Sequence, residues 1–73
     1  SVEVYLLIQR LDSLEPDETP VLGVFSTPEA AREFLPKHLS KAPEEIKWLD
    51  EGLATDGNIS YYYYCIERHE VKE

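Results

Sequence analysis

Val21-Leu22-Gly23-Val24-Phe25-Ser26-Thr27-Pro28-Glu29-Ala30-Ala31-Arg32-Glu33-Phe34-Leu35 reads as a short apolar strand running straight into a capped helix. Val21, Leu22, Val24 and Phe25 form a nearly continuous apolar run, which suits a strand with neighbours on both sides. Gly23 inside it points to a bulge or to close approach by another backbone, with the helix as candidate. Ser26 or Thr27 supplies a hydroxyl for an orphan amide at the helix start. Pro28 sits where a missing N–H costs nothing, and Glu29 places negative charge at the positive helix end. Ala31, Phe34 and Leu35, with His38 as a further candidate, follow helical spacing and should face a sheet. Glu29, Arg32 and Glu33 should face water, with Glu29 and Arg32 spaced for a weak i,i+3 pair. Pro36 disfavours helical geometry at Leu35, so the helix should end or kink there, with a short continuation through Leu39 as the alternative.

Upstream, Val2-Glu3-Val4-Tyr5-Leu6-Leu7-Ile8-Gln9-Arg10-Leu11 alternates as a strand. The expectation is that Val2, Val4, Leu6 and Ile8 face the core, with Glu3, Tyr5, Leu7 and Gln9 outward. Asp12 to Pro20 is acidic, contains two prolines and has no period, so it reads as an exposed loop. Downstream, residues 44–52 admit two readings. Pro43, Glu44, Glu45 and Gly52 would suit a short helix, whereas Ile46 and Trp48 flanking Lys47 would suit a strand. The strand is preferred, because the turn signal Thr55-Asp56-Gly57-Asn58 would then join it in a hairpin to residues 59–71. In that last strand Tyr62, Tyr64 and Ile66 should be core, and Tyr61, Tyr63 and Cys65 should lie on the other face. The expected architecture is α+β: a two-layer sandwich of a four-stranded, largely antiparallel sheet in the chain order β-β-α-β-β, with one helix on one face.

Two parts of the chain resemble a known pattern. Val4-Tyr5-Leu6-Leu7 is followed, after a loop, by Leu22-Gly23-Val24-Phe25-Ser26-Thr27, and Glu29-Ala30-Ala31 open a helix. Trp48 precedes an acidic stretch and an Asp-Gly turn, and Tyr63-Tyr64 and Ile66 lead to His69-Glu70-Val71. Together they resemble a family of small uncharacterised domains encoded by bacteria and their phages, over most of the chain but through structural motifs. The family has no assigned activity, so no residue role carries over. The resemblance implies a phage or mobile-element setting, where small acidic proteins often bind and block a host protein, defence nucleases among them.

Length and charge bound the function further. Seventy-three residues are read as one domain, 1–73, and a chain of that size buries only about 60% of its unfolded surface, so oligomerisation would help it. One cysteine excludes an intramolecular disulfide and suits a reducing cytoplasm. No apolar run approaches the ~20 residues of a membrane helix, no leader pattern precedes the first strand, and Ser1 fits removal of an initiator methionine. A cytoplasmic protein is therefore expected. Fifteen acidic residues against seven basic, a net charge of −8, disfavour direct binding to nucleic acid or an anionic membrane and favour a basic protein partner.

Sites for chemistry are sparse. Cys65 and His69, four residues apart on one strand, would stand roughly 13 Å apart, beyond proton-transfer reach. Neither His-x-x-x-His nor Cys-x-x-Cys spacing suggests a metal, the acidic clusters lack the pattern of a Ca²⁺ loop, and no phosphate cradle or catalytic triad is present. No enzyme, cofactor or metal is expected. Tyr5, Tyr61 and Tyr63, joined by Leu7 and Trp48, would instead form an aromatic patch on the uncovered sheet face. The expected partner-binding set is thus Asp12, Glu15, Asp17, Glu18, Asp50, Glu51 and Asp56 for charge, with Tyr5, Trp48, Tyr61 and Tyr63 as anchors. The expectation is a non-enzymatic acidic interaction module, in its sharper form a phage-encoded inhibitor occupying a basic, nucleic-acid-binding surface of a host protein. The alternatives are a homodimeric accessory protein that pairs through the aromatic face, and a small-ligand binder with a pocket the sequence does not announce.

Overall fold

The computed structural model describes residues 2–11, 19–56 and 62–72. Strand β1 spans Val2–Leu11, β2 Val21–Phe25, helix α1 Pro28–Leu39, β3 Lys47–Asp50, β4 Leu53–Thr55 and β5 Tyr62–Val71, with a 3-10 turn at Pro43–Glu45. The fold is α+β, with one helix on an antiparallel sheet. The sheet has five strands, not four, in the spatial order β2-β1-β5-β4-β3. The extra strand comes from the ambiguous stretch. Residues 43–52 provide both a 3-10 turn and a strand, and β3 folds back at Glu51-Gly52 onto β4 instead of pairing with the last strand. β4 is the strand that pairs with β5. Of the Thr55–Asn58 turn signal, Gly57 and Asn58 lie outside the described residues.

Helix α1 begins as the sequence requires. Thr27 is the N-cap, its hydroxyl accepting from the Ala30 amide at 3.1 Å, and Pro28 opens the first turn. The helix runs through Pro36 to Leu39, and Pro36 itself is buried. The end comes at Ser40, in left-handed geometry (φ 55°), where the Ser40 and Lys41 amides return to the Lys37 and Pro36 carbonyls. Ala31 and Leu35 are fully buried against the sheet, and Phe34 packs beside them on Phe25, ring centroids 5.2 Å apart. His38 is exposed and stacks on Phe34.

Strand β2 is an edge, not an interior strand, and Val21 and Val24 are exposed. Leu7 pairs with Gly23 and Ile8 with Val21, so Leu22 is the extra residue of a bulge. At Gly23 the close approach comes from the Phe25 ring, which a Cβ would meet at 2.8 Å.

The face assignment of β1 is reversed from expectation. Residues directly opposite each other in an antiparallel pair share a face, and Leu7 stands opposite Ile66 and Gln9 opposite Tyr64. Tyr64, Ile66 and Ala54 face the helix, so Tyr5 and Leu7 do as well, and Leu7 is the centre of the core at 0% exposure. Val2, Val4, Leu6 and Ile8 therefore lie on the other side, which no helix among the described residues covers. β1 is apolar on both faces, so its alternation alone could not choose between them. Tyr64 and Ile66 are in the core as anticipated, whereas Tyr62 lies on the helix side but near the sheet's end, 41% exposed.

Candidate functional site

A cleft runs between α1 and the β3–β4 hairpin, in two lobes of about 520 and 310 Å³. The larger lobe has Trp48, Pro36 and Pro43 as its apolar walls and Glu33 and Lys37 on its helix rim. The smaller has Tyr5, Ile66 and Gly52 on the sheet side and Pro28 at the helix start, with Glu51 and Arg68 at its mouth. Glu29 and Arg32 line both lobes. Arg32 is the partition: its Nη1 donates to the Glu51 carbonyl at 3.0 Å, and its Nη2 reaches the Glu29 carboxylate at 3.5 Å. The expected Glu29–Arg32 pair is thus present, and the same guanidinium also ties the helix to the hairpin turn. That turn is tightened by the Asp50 carboxylate, which accepts from the Glu51 amide at 2.6 Å. The side chains of Glu29, Glu33, Glu44, Glu45, Asp50 and Glu51 are all exposed along the helix and the turns facing it.

At the open end of the smaller lobe Tyr5 donates to Glu3 at 3.3 Å, and Arg68 pairs with Glu3 at 3.6 Å. Partial desolvation, then the Glu3 carboxylate, raise the Tyr5 phenol above its ordinary value. Burial raises Tyr64 in the same direction, with Asp56 adding to it.

Among the described residues the face of the sheet away from α1 is mainly aliphatic, with Tyr63 as its one aromatic residue. Val2, Val4, Leu6 and Ile8 of β1, Val21 and Val24 of β2, and Val71 of β5 share it, together with Tyr63, Cys65 and Leu53. Across its centre runs a polar line. Arg10 donates from Nε to Cys65 Sγ at 3.0 Å and from Nη2 to Glu67 at 2.6 Å, and His69 Nε2 meets Glu67 at 3.1 Å. The His69 and Arg10 hydrogen bonds hold the Glu67 carboxyl below the ordinary glutamate value. The bonds to Cys65 and Glu67 keep the Arg10 guanidinium charged. Cys65 is half-buried on this face.

The residues singled out from the sequence are therefore divided. Tyr5, Trp48 and Glu51 come together around the cleft on the helix side, which corrects the placement of Tyr5 and Trp48 on the uncovered face. Tyr5 follows Leu7 by strand parity, and Trp48 follows Ala54, its partner across the β3–β4 pair. Tyr63 is on the uncovered face, half-buried. Asp50 is exposed at the end of β3 opposite Leu53 and lines neither lobe, and Asp56, half-buried, accepts a Lys41 bond through its carbonyl at 3.4 Å. Asp12, Glu15, Asp17, Glu18 and Tyr61 lie outside the described residues.

Arg32 as a bridge and the Arg10–Cys65–Glu67–His69 line were not foreseen. The line did have a signal: 65, 67 and 69 alternate onto one face of a strand. Among the described residues no three His, Cys, Asp or Glu side chains stand together as a metal site. No helix described is long and apolar enough to cross a membrane. Comparison with models of protein families, with curated proteins and with solved structures gives no match.

Proposed function

We propose that the protein is an acidic interaction module that acts by binding another protein, without catalysis, through the cleft between α1 and the β3–β4 hairpin. The observation that carries this reading is the Trp48-walled depression itself, with Glu29 and Glu33 exposed on its helix rim, Arg32 paired with Glu29, and Lys37 the other cation of its lining. A basic segment of a partner fits such a surface. An Arg or Lys side chain lying over an indole gains cation–π attraction, and nearby carboxylates add charge attraction and steer the encounter. In its sharper form the protein is a phage-encoded inhibitor that covers the basic, nucleic-acid-binding surface of a host protein. The net charge of −8 supports that choice of target, because nucleic-acid-binding surfaces are rich in Lys and Arg.

Trp48 is the sole tryptophan, so its emission reports on the cleft directly. The experiment is affinity capture from a bacterial lysate at low and moderate salt, followed by titration of the captured protein against Trp48 fluorescence. A stoichiometric basic partner that shifts the emission, dissociates as salt rises and is lost with Glu29→Lys/Glu33→Lys supports the reading. A partner whose binding ignores both salt and the double charge reversal removes it. The larger lobe also falls in the ~300–1,000 Å³ range of small-molecule sites, which favours ligand binding as the second reading. An emission change produced by a small-molecule fraction of the lysate would select it.

A further inference from the structure

We infer that the partner's basic segment docks as an added β-strand on the open outer edge of β5, at Glu67–Val71, with a Lys or Arg side chain at the mouth of the smaller lobe. This rests on the cleft reading above and adds how the segment is held. β4 covers only the first half of β5: the hairpin's final hold on it is the Gly52 carbonyl, which accepts from the Ile66 amide at 2.9 Å. β5 runs on from Glu67 to Val71, and among the described residues this stretch pairs on one side only, with β1 from Leu6 to Val2. Successive residues of an antiparallel strand aim their N–H and C=O groups at opposite neighbours. The Ile66 amide points to the β4 side, so the Arg68 and Glu70 amides do too, and no described strand meets them there. Segments 12–18 and 57–61 join the sheet at its other end, where Leu11 stands opposite Tyr62, roughly 20 Å along β5 from Arg68. Such an edge is a template for one more strand, whose main chain supplies hydrogen bonds and whose alternate side chains supply specificity.

The chemistry of the occupant follows from the helix side of the same strands. Arg68 and Glu70 share that face with Ile66, and Ile66 and Arg68 line the smaller lobe. A strand laid along Arg68 and Glu70 continues the line of β4, and every second side chain on it stands beside that lobe. There Glu3 lies directly opposite Glu70, in the kind of pair where side chains come closest and like charges oppose each other. Arg68 reaches Glu3 at 3.6 Å, and farther in Arg32 pairs with Glu29 while Glu51 stands at the mouth. Four carboxylates, Glu3, Glu29, Glu51 and Glu70, thus face two guanidiniums, Arg32 and Arg68. A basic side chain on the incoming strand offsets that excess, and an acidic one adds to it.

The probe is a soluble peptide of about eight alternating lysines and valines, titrated against the full chain with β5 amide exchange followed by NMR. In the free protein the Arg68 and Glu70 amides should be about tenfold less protected than those of Glu67 and His69, which point to β1, and the peptide should close that gap. N-methylation of one alternate set of peptide amides should weaken binding by about tenfold or more, and of the other set should leave it unchanged, since only one edge of the peptide faces β5. Glu70→Pro removes an outward N–H that β1 does not use, on an edge where proline is tolerated, and should abolish binding; Glu70→Gln keeps the amide and should cost about threefold or less. Binding that falls with salt and with Glu29→Lys/Glu33→Lys, yet ignores both methylation patterns and Glu70→Pro, overturns the added strand and leaves the cleft reading standing. Equal binding of an alternating glutamate–valine peptide, or no binding at millimolar peptide, overturns it as well. So does protection of the Arg68 and Glu70 amides in the free protein, or protection that grows with protein concentration alone, which would put a second copy on the edge.

Discussion

Leu7 and Ile8 are adjacent in the chain and both nearly inaccessible, at 0% and 6% exposure, yet they belong to opposite surfaces of the molecule. Leu7 sits beneath the helix with Ala31, Leu35, Tyr64 and Ala54. Ile8 lies on the face away from α1, and among the described residues the neighbours established for it are lateral, Val21 and Cys65 standing directly opposite on the adjoining strands. Burial by a second layer and burial by neighbours within one layer are physically different. The first fills space on all sides, and the second leaves one side of the residue dependent on whatever reaches the sheet from solution. The contrast explains how a chain of 73 residues can contain a compact core and still present an aliphatic surface.

The strongest test of that contrast is the pair of truncations. Leu7→Ala should cost about 3 kcal/mol, within the range for fully packed leucines, read as a loss of denaturation midpoint at unchanged slope. Ile8→Ala should cost about 1–2 kcal/mol in dilute solution, because part of its environment relaxes toward solvent. Equal losses would mean that the uncovered face is as tightly packed as the core. Next in size, Thr27→Ala should cost about 1 kcal/mol by removing the acceptor for the Ala30 amide, while Thr27→Ser should restore it; thermal unfolding of both variants decides this. The loss bears on the covered side alone, since the cap positions the helix and nothing on the other face.

The smallest effect sharpens the other side. Glu67 is 39% exposed in its side chain, so its pairing with Arg10 falls in the range of surface pairs, about 0.5 kcal/mol. Its carboxyl is held below the ordinary value in the fold, by His69 first and Arg10 second, so the unfolded chain takes up this proton more readily than the native one. The contribution is complete above the ordinary glutamate pKa and disappears as pH falls through the lowered one. Glu67→Gln should therefore be slightly less stable than the parent at neutral pH, and the gap should close on acidification. A gap that widens with acid would show that the Glu67 charge opposes folding.

Much of the covered side was legible in the residues. The helix start follows from Thr27 and Pro28, and the burial of Ala31 and Leu35 follows from their spacing, because these features depend on neighbours within a turn or two. The strand character of β1 and β5 was equally plain, and so was the inward direction of Tyr64 and Ile66. The cleft was not legible. Trp48 and Tyr5 are 43 positions apart in the numbering, and nothing local says that a reversal at Glu51-Gly52 brings the hairpin against the helix. The same reversal explains the fifth strand: β4 has only three residues, too short to leave a period of its own. Arg32 shows the limit within a single residue. Its pairing with Glu29 could be read from a spacing of three, but its bond to the Glu51 carbonyl could not.

By itself, then, the sequence determined an α+β chain with one capped helix, long first and last strands and an excess of carboxylates. These are properties of composition and of interactions only a few residues apart. Tertiary structure alone decided which face of β1 became core. Val2, Val4, Leu6 and Ile8 are as apolar as Tyr5 and Leu7, so the periodicity of the strand is satisfied either way. The choice was made by register, where Leu7 stands against Ile66 and a slip of one residue would have exchanged the two faces.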